Sequence, residues 1–458
     1  MSLLINGKEV NHIHFVGILG SGMSALAQYL CWKGFSVSGS DRSLRSDATA
    51  IWREYLLKIG CTLFDQDGSG ITEKIDAVCI SSAIESDNPD LIAAQKYHIS
   101  LVHRSDVLAS IVNNHTTIAV AGTSGKSTVT AMIFEFLTTC NKSPSLITGA
   151  GLKRLEQQGY IGNAFSGTSD ILVIEADESD GSLIKYHPDT SLFLNVSKDH
   201  KTVVEVKQLF KQLAQQSKRS IHNADDPLFN DFTTTGTFSL TTPSDWYPNS
   251  FSTTATGGVL TRNGIEYFLP LPGNHNLSNC AAALSVAELF GCTASQLQQA
   301  TKTFEGVARR FTVTHTANNI TIVDDFAHNP EKIRAAVTAA RSISQRIIAI
   351  YQPHGFGPTR FLRDEYAKLF PLILKNDDIL ILLPIYYAGG TATKDISAID
   401  LKNDLSSVDF SVYTQENRDV CLLLLQKEVQ SGTCILVMGA RDPSLPLFVK
   451  NIIDIFDI

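Results

Sequence analysis

The 458 residues contain no C-x-x-C pair, no apolar run long enough to span a membrane and no excess of basic charge. Each absence closes a class of function. The eight cysteines, Cys31, Cys61, Cys79, Cys140, Cys280, Cys292, Cys421 and Cys434, are scattered. Neither a zinc site nor a disulfide framework is therefore indicated, and buried free thiols in a reducing compartment are expected. Residues Met1 to Val10 include Lys8 and Glu9 without the apolar core of a signal peptide, so the cytoplasm is the expected location and no membrane insertion is expected. With 38 Lys plus Arg against 46 Asp plus Glu, the formal charge of −8 opposes a phosphate backbone. Nucleic acid is not an expected partner, and any basic site is local.

What is present is an ordinary globular composition, 43 % hydrophobic and 18 % charged, in a chain longer than one core usually organises. Short apolar runs recur, each followed by a Gly- or Asp-bearing turn and a helical pattern, which is the signature of parallel α/β units. Three such blocks are expected to form domains at 1–112, 113–311 and 312–458. The first block has strands at His12 to Val16, Ser36 to Gly39 and Ala77 to Ser81, with a helix at Ser24 to Lys33. The second has strands at Thr117 to Ala121, Ile171 to Ile174 and Ser191 to Asn195, with helices at Thr128 to Thr139 and Asn279 to Phe290. Between them, Phe232 to Phe268 is rich in Thr, Ser and Gly and reads as antiparallel β structure or long loops. The third has strands near Ile320 to Val323, Arg346 to Tyr351, Ile379 to Leu383 and Cys434 to Met438, with helices at Glu331 to Arg341, Asp364 to Phe370 and Val420 to Val429.

The strongest chemical signal is Gly122-Thr123-Ser124-Gly125-Lys126-Ser127-Thr128, set between an apolar strand and a helix. Its backbone N–H groups suit a polyphosphate, Lys126 supplies a point charge and the Ser127 hydroxyl reaches Mg²⁺. Val120 stands where the general phosphate-loop pattern has a glycine, so this is a variant. Strand Ile171 to Ile174 runs into Glu175-Ala176-Asp177-Glu178-Ser179-Asp180, which sets carboxylates at the sheet edge where α/β folds bind ligands. Asp199 and His200 follow the next strand. In the first block, Gly17-x-x-Gly20-x-Gly22 spaces its glycines differently from the dinucleotide motif yet occupies the same strand-to-helix turn. Asp41 beyond the second strand either contacts a sugar hydroxyl or caps a helix. In the third block, Asn329 and Pro330 read as the N-cap and first residue of a helix, leaving Asp325 and His328 as ligand candidates. Tyr351-Gln352-Pro353-His354 ends another strand, and Arg360 and Arg363 behind it either hold a carboxylate or lie on the surface.

Taken in order, these motifs, with Gly273-Asn274-His275-Asn276 and Arg309-Arg310-Phe311, resemble the Mur ligase family of peptidoglycan synthesis over nearly the whole chain. His14-Phe15-Val16-Gly17, Gly22-Met23-Ser24, Ser81-Ser82-Ala83-Ile84 and Gln352-Pro353-His354 resemble its alanine-adding branch. The resemblance implies an α/β protein of three domains: an N-terminal Rossmann-like domain for a UDP-sugar, a central P-loop ATPase-type domain and a C-terminal Rossmann-like domain. It implies a monomer or homodimer that uses ATP and Mg²⁺ to join the carboxylate of UDP-N-acetylmuramate to an amino acid, L-alanine first among them, through an acyl phosphate.

By the same resemblance, Lys126, His200, His328 and His354 are catalytic, and Ser127, Glu175 and His200 hold Mg²⁺. The loop Gly122 to Thr128, His275, Asn276, Arg310 and Asp325 bind the nucleotide. Gly20, Ser21, Gly22, Met23, Asp41, Ser81, Ser82, Ala83, Glu178 and Arg360 bind substrate. The chain departs from the branch at Ser124 and Ser127, where His and Thr are usual, and at Asp199-His200-Lys201-Thr202, which lacks the second acid. It departs again at Gly355 and Pro358, which replace arginines. Two other readings share these residues: a paralogue that attaches a different amino acid or a recycled murein peptide, and an inactive nucleotide-binding regulator. A dinucleotide dehydrogenase would leave the second phosphate loop without a purpose.

Overall fold

The computed structural model describes residues 3–178, 181–197, 201–254, 256–387, 393–440 and 442–457. The chain forms two compact units, Met1–Ala308 and Arg309–Ile458. The first unit opens with a hairpin of β1 (Leu3–Ile5) and β2 (Lys8–Val10) and then builds a parallel sheet. That sheet contains β3 (His12–Val16), β4 (Ser36–Ser40), β5 (Thr62–Phe64), β6 (Ala77–Ile80) and β7 (Ser100–His103), in the order β5-β4-β3-β6-β7. Its helices are α1 (Ser21–Trp32), α2 (Ala50–Lys58), α3 (Pro89–Lys96) and α4 (Arg104–Val112). The order reverses beside β3, so the glycine turn after β3 sits at the crevice where such sheets take ligands.

The same unit carries a second sheet of β8 (Thr116–Ala121), β9 (Ser145–Ile147), β10 (Ala164–Phe165), β11 (Ile171–Ala176), β12 (Thr190–Phe193), β13 (Arg219–Asn223) and β14 (Gly236–Phe238). Its order is β10-β9-β11-β8-β12-β13-β14, parallel except at the β10 edge. Helices α5 (Lys126–Thr139), α6 (Lys153–Gln157), α7 (Val203–Gln216), α8 (Asn274–Leu289) and α9 (Ala294–Lys302) accompany it. Strand β8 is covered on both faces. Ala119 and Ala121 join one core with Ile13 and Phe15 of the first sheet and Leu26 of α1, while Ile118 and Val120 face another under α5 and α8. A central parallel strand has to be apolar on both sides, which is why the run before Gly122 is legible. The stretch expected as antiparallel or loop contains β15 (Ser250–Thr253), β16 (Gly258–Arg262) and β17 (Ile265–Leu269), an antiparallel sheet.

Helix α1 is joined to the second sheet by buried polar contacts. Asn163 donates to the Ser21 carbonyl at 2.7 Å and to Ser24 Oγ at 2.9 Å, and Gln28 donates to Asn163 Oδ1 at 2.8 Å. Buried amides held in this way fix the direction of the helix.

The second unit has β18 (Thr312–His315), β19 (Thr321–Asp325), β20 (Arg346–Gln352), β21 (Ile379–Leu382), β22 (Ser411–Thr414) and β23 (Thr433–Gly439) in the order β18-β19-β23-β20-β21-β22. Only the β18 edge is antiparallel among these described strands. Alternate residues divide between two cores: Ile347, Ala349 and Tyr351 on one face, Ile348 and Ile350 on the other. Period two along a strand covered on both faces produces this division. Helices α10 (Pro330–Ile343), α11 (Phe356–Phe361) and α12 (Arg363–Ile373) follow the site-bearing strands.

Candidate active site

The phosphate loop runs from the end of β8 to the start of α5. At Gly122 a Cβ would come within 2.9 Å of Leu194 Cβ, and at Gly125, with φ 86°, within 2.7 Å of Asn279 Oδ1. The second glycine also needs the left-handed backbone that other residues avoid. Close packing by Leu194 and by α8 therefore demands glycine at both places.

Lys126 Nζ donates to the Gly122 carbonyl and to Glu178 Oε2, each at 2.7 Å. The lysine is 12 % exposed and the glutamate 3 %. Burial acts to lower the lysine pKa, but Glu178, Asp177 and Glu175 together hold it above the ordinary value. Burial pushes Glu178 up, against the pull of Lys126. One residue along, Ser127 Oγ donates to Glu175 at 3.1 and 3.2 Å from its two oxygens. Glu175 Oε2 also accepts from Thr148 Oγ1 at 3.0 Å and from the Gly149 N–H at 3.2 Å. One ammonium thus faces three carboxylates at the C-terminal edge of β8 and β11. A polyanion enters such a set only with added positive charge.

Asn195, which no local motif marks, braces this loop. Its Oδ1 accepts from Thr123 Oγ1 and from the Ser124 N–H, both at 2.8 Å, and its Nδ2 donates to the Ser124 carbonyl at 3.0 Å. Thr128 is in the first turn of α5. His275 and Asn276 lie on the first turn of α8, Asn276 buried with its amide donating to the Pro272 carbonyl at 2.8 Å and His275 exposed. His200, with Ser179, Asp180 and Asp199, lies outside the described residues. Among the described residues, no group of three or more His, Cys, Asp or Glu side chains is gathered as a metal ligand set.

At the first sheet, Gly17 (φ 79°) turns so that its N–H and that of Ile18 donate to the Ser40 carbonyl at 2.8 and 3.0 Å. Asp41 accepts from the Leu19 N–H at 3.0 Å and from Ser43, so its carboxylate shapes the turn. Gly20 is the N-cap of α1 with no side-chain cap, and Ser21, exposed, and Gly22, half-buried, begin the helix. Met23 is only 4 % exposed, its side chain in the core, which leaves its backbone N–H as the group that can serve a ligand. Ser81, Ser82 and Ala83 form a turn after β6, closed by the Ile84 N–H to the Ser81 carbonyl at 3.1 Å. A Cβ on Gly22 would meet Arg104 Nη1 at 3.0 Å. This arginine, from the start of α4, is the nearby cation that the sequence does not announce.

In the second unit, Asp325 accepts from the Phe311 and Ala327 N–H groups at 2.7 and 2.8 Å. Loss of water pushes its carboxyl up to about 6, against the pull of Arg310. The Arg309 and Arg310 guanidinium groups lie 5.2 and 5.0 Å from the Phe326 ring centre. The rings of His328 and His354 stand 5.2 Å apart, edge to face. His328 Nδ1 is 2.9 Å from the Phe326 carbonyl, which selects the neutral tautomer that carries its proton on Nδ1. Tyr351 and Tyr366 donate to the His328 carbonyl at 3.1 and 3.0 Å. Asn329 caps α10 by accepting from the Lys332 N–H at 2.9 Å. Arg360 is paired with Asp395 and Arg363 with Asp404, so both arginines behind His354 already have acidic neighbours. Gly355 turns with φ 71° against Pro358 of α11.

Three family models match the chain in succession: the Mur ligase family catalytic domain over residues 12–116, the Mur ligase middle domain over 120–287 and the Mur ligase glutamate ligase domain over 309–441. The UDP-N-acetylmuramate–L-alanine ligase of Syntrophomonas wolfei is 33 % identical, with 94 % of each chain covered. That of Thermosynechococcus vestitus is 35 % identical over 93 % of this chain and 92 % of its own. Among solved structures, the UDP-N-acetylmuramate-alanine ligase of Thermotoga maritima superposes with a TM-score of 0.80 at 24 % identity, covering 97 % of this chain and 99 % of the other. A murein peptide ligase of Psychrobacter arcticus gives 0.72 at 19 %, covering 97 % and 98 %. These two likenesses concern the fold.

Proposed function

The chain belongs to the Mur ligase family, and from that premise we propose that it is the ATP-dependent ligase that joins the carboxylate of UDP-N-acetylmuramate to L-alanine in peptidoglycan synthesis, in the cytoplasm. The observation that carries this reading is the paired arrangement of Lys126 on Glu178 and Ser127 on Glu175 at one sheet edge. A carboxylate is a poor electrophile until a phosphoryl group gives it a leaving group. Lys126 and the loop N–H groups hold the nucleotide phosphates and take up charge as the γ-phosphoryl moves. Ser127 and Glu175, hard oxygen donors side by side, fit Mg²⁺, and His200 is the third proposed ligand. When bound, Mg²⁺ neutralises the polyphosphate beside the carboxylates. The turn Gly20 to Met23, with Ser81 to Ala83, takes the UDP-sugar against the N-terminus of α1. His275, Asn276, Arg310 and Asp325 serve the nucleotide.

In this reading His328 takes the proton that the attacking amine sheds, a role supported by the tautomer that its Nδ1 contact selects and by the ring of His354 packed against it. The three-domain division at 112 and 311 remains part of this proposal. A second reading has one observation in its favour: Gly355 and Pro358 replace the branch's arginines, and Arg360 and Arg363 are occupied by Asp395 and Asp404. An amine partner without a free α-carboxylate contact at this point, such as a recycled murein peptide, fits that feature.

Phosphate release from ATP, Mg²⁺ and UDP-N-acetylmuramate, compared across L-alanine, glycine, L-serine and murein tripeptide, separates the two. Release that needs the sugar and L-alanine, and is lost in Lys126→Ala, supports the main reading. Release with tripeptide alone transfers the assignment, and none with any amine rejects both.

A further inference from the structure

Strand β4 reads Ser36-Val37-Ser38-Gly39-Ser40, and period two sets its three serines on one face of the first sheet. Strand β3 pairs His12 with Ser36 and His14 with Ser38, so both imidazoles stand on that same face. A polar stripe on a covered face costs free energy unless its groups are partnered. His12 Nε2 and His14 Nδ1 each lie 3.0 Å from Ser38 Oγ. The stripe ends at Ser40, whose hydroxyl donates to Asp90 Oδ2. Asp90 belongs to the first turn of α3, and its Oδ1 accepts from the Gly68 N–H at 2.8 Å. His14, Ser40 and Asp90 are wholly buried.

The backbone of Ser40 faces the substrate turn. Its carbonyl is the acceptor shared by the Gly17 and Ile18 N–H groups, and Asp41, next in the chain, holds the Leu19 N–H. A shift at the end of β4 would therefore move every one of these supports. We propose that Asp90 is a positioning residue for the UDP-sugar site, holding Ser40 so that its carbonyl fixes the turn that leads from β3 into α1. This role rests on the reading that the turn takes the UDP-sugar.

The surroundings of Asp90 suit it to the task. Burial acts to raise its carboxyl, but His14, Ser40 and the Gly68 N–H together hold it below the usual value. An ionised carboxylate only accepts, so the Ser40 hydroxyl has one direction in which to point. The N-terminus of α3 also favours the negative charge. His14 Nε2 stands 3.9 Å from Asp90 Oδ2. A Cβ at Gly70 would come within 2.8 Å of His14 Cε1 and of Phe64 Cδ2, so the loop that carries Gly68 is packed hard against the stripe.

The test compares the full-length wild type with Asp90→Asn, Ser40→Ala and the double variant. Asparagine keeps the shape but accepts on one side only, so Ser40 or Gly68 loses its acceptor. Asp378→Asn is the control: this acid of the second unit is also buried, and accepts from the Ile347 N–H at the start of β20. Without ligand, hydrogen exchange read by mass should be faster at Gly17 to Leu19 in both single variants and unchanged there in the control. The calorimetric Kd for UDP-N-acetylmuramate should rise roughly tenfold in each single variant. It should rise little further in the double variant, because both changes break one contact, and not at all in the control. Unaltered exchange at the turn, faster exchange with wild-type affinity, additive losses in the double variant, or an equal loss in the control would each overturn the proposal. If the wild type itself does not bind the UDP-sugar, the reading of the turn falls and this role with it, even where exchange still responds to Asp90→Asn.

Discussion

Lys126 and Glu178 meet at 2.7 Å, ammonium against carboxylate, with both side chains nearly removed from solvent. The lysine proposed to hold the nucleotide phosphates is therefore already committed to an acid one strand away. Phosphate binding has to redistribute that charge, which makes Glu178 a competitor for Lys126 as well as its support.

Replacing the acid by its amide tests the competition. Glu178→Gln keeps the shape and removes one negative charge beside the bound triphosphate. ATP affinity should rise roughly tenfold, about 1.4 kcal/mol, as read by titration calorimetry with a non-hydrolysable analogue. Unchanged or weaker binding would mean that the carboxylate mainly holds the lysine in position.

Ser127→Ala asks whether the hydroxyl on Glu175 is a metal ligand. Glu175 retains Thr148 and Gly149 in the variant, so the fold is expected to hold. The Mg²⁺ concentration for half-maximal activity should rise on the order of tenfold or more, and Ser127→Thr should restore it. An unaltered Mg²⁺ response would remove Ser127 from the metal's surroundings.

Asn195 positions the phosphate loop through three hydrogen bonds to Thr123 and Ser124. Asn195→Ala leaves the Ser124 N–H and carbonyl without that partner and should cost about 2–3 kcal/mol of stability. It should also raise KM for ATP more than it lowers kcat. Asn195→Asp restores the acceptor but sets a carboxylate against the Ser124 carbonyl, so it should recover little. A variant with wild-type Tm and KM would show that the loop holds its shape without the amide.

The contrast between Lys126 and Asn195 shows what the sequence can reveal. Lys126 and Ser127 are legible because a buried parallel strand, a glycine turn and a helix start are all local. Asn195 reaches Ser124, and Arg104 reaches Gly22, from far along the chain, and neither contact leaves a local pattern. Helix starts read late for a related reason: α1, α5 and α8 begin at Ser21, Lys126 and Asn274, while apolar periodicity places them at Ser24, Thr128 and Asn279. First turns that face a ligand site are polar, so the periodic signal begins after them. Strand β13, Arg-Ser-Ile-His-Asn, escapes sequence reading because it holds one large aliphatic residue and is paired near the sheet's edge.

Glu135, on the inner side of α5, gives a pH prediction. Its side chain is 3 % exposed, and Oε1 is without a hydrogen-bond partner among the described residues. Burial raises its pKa from 4.5 to about 8, with Arg154 lowering it and Glu305 raising it further. The folded state then binds a proton that the unfolded state releases between those values. Stability is unpenalised below about 4.5, falls as pH rises towards 8, and is flat above. The full penalty is on the order of 3–5 kcal/mol. Glu135→Gln cannot ionise, so its Tm should exceed that of the wild type by several degrees at about pH 9 and match it at about pH 5. A Tm difference that does not change with pH would show that the carboxyl has the same ionisation in both states.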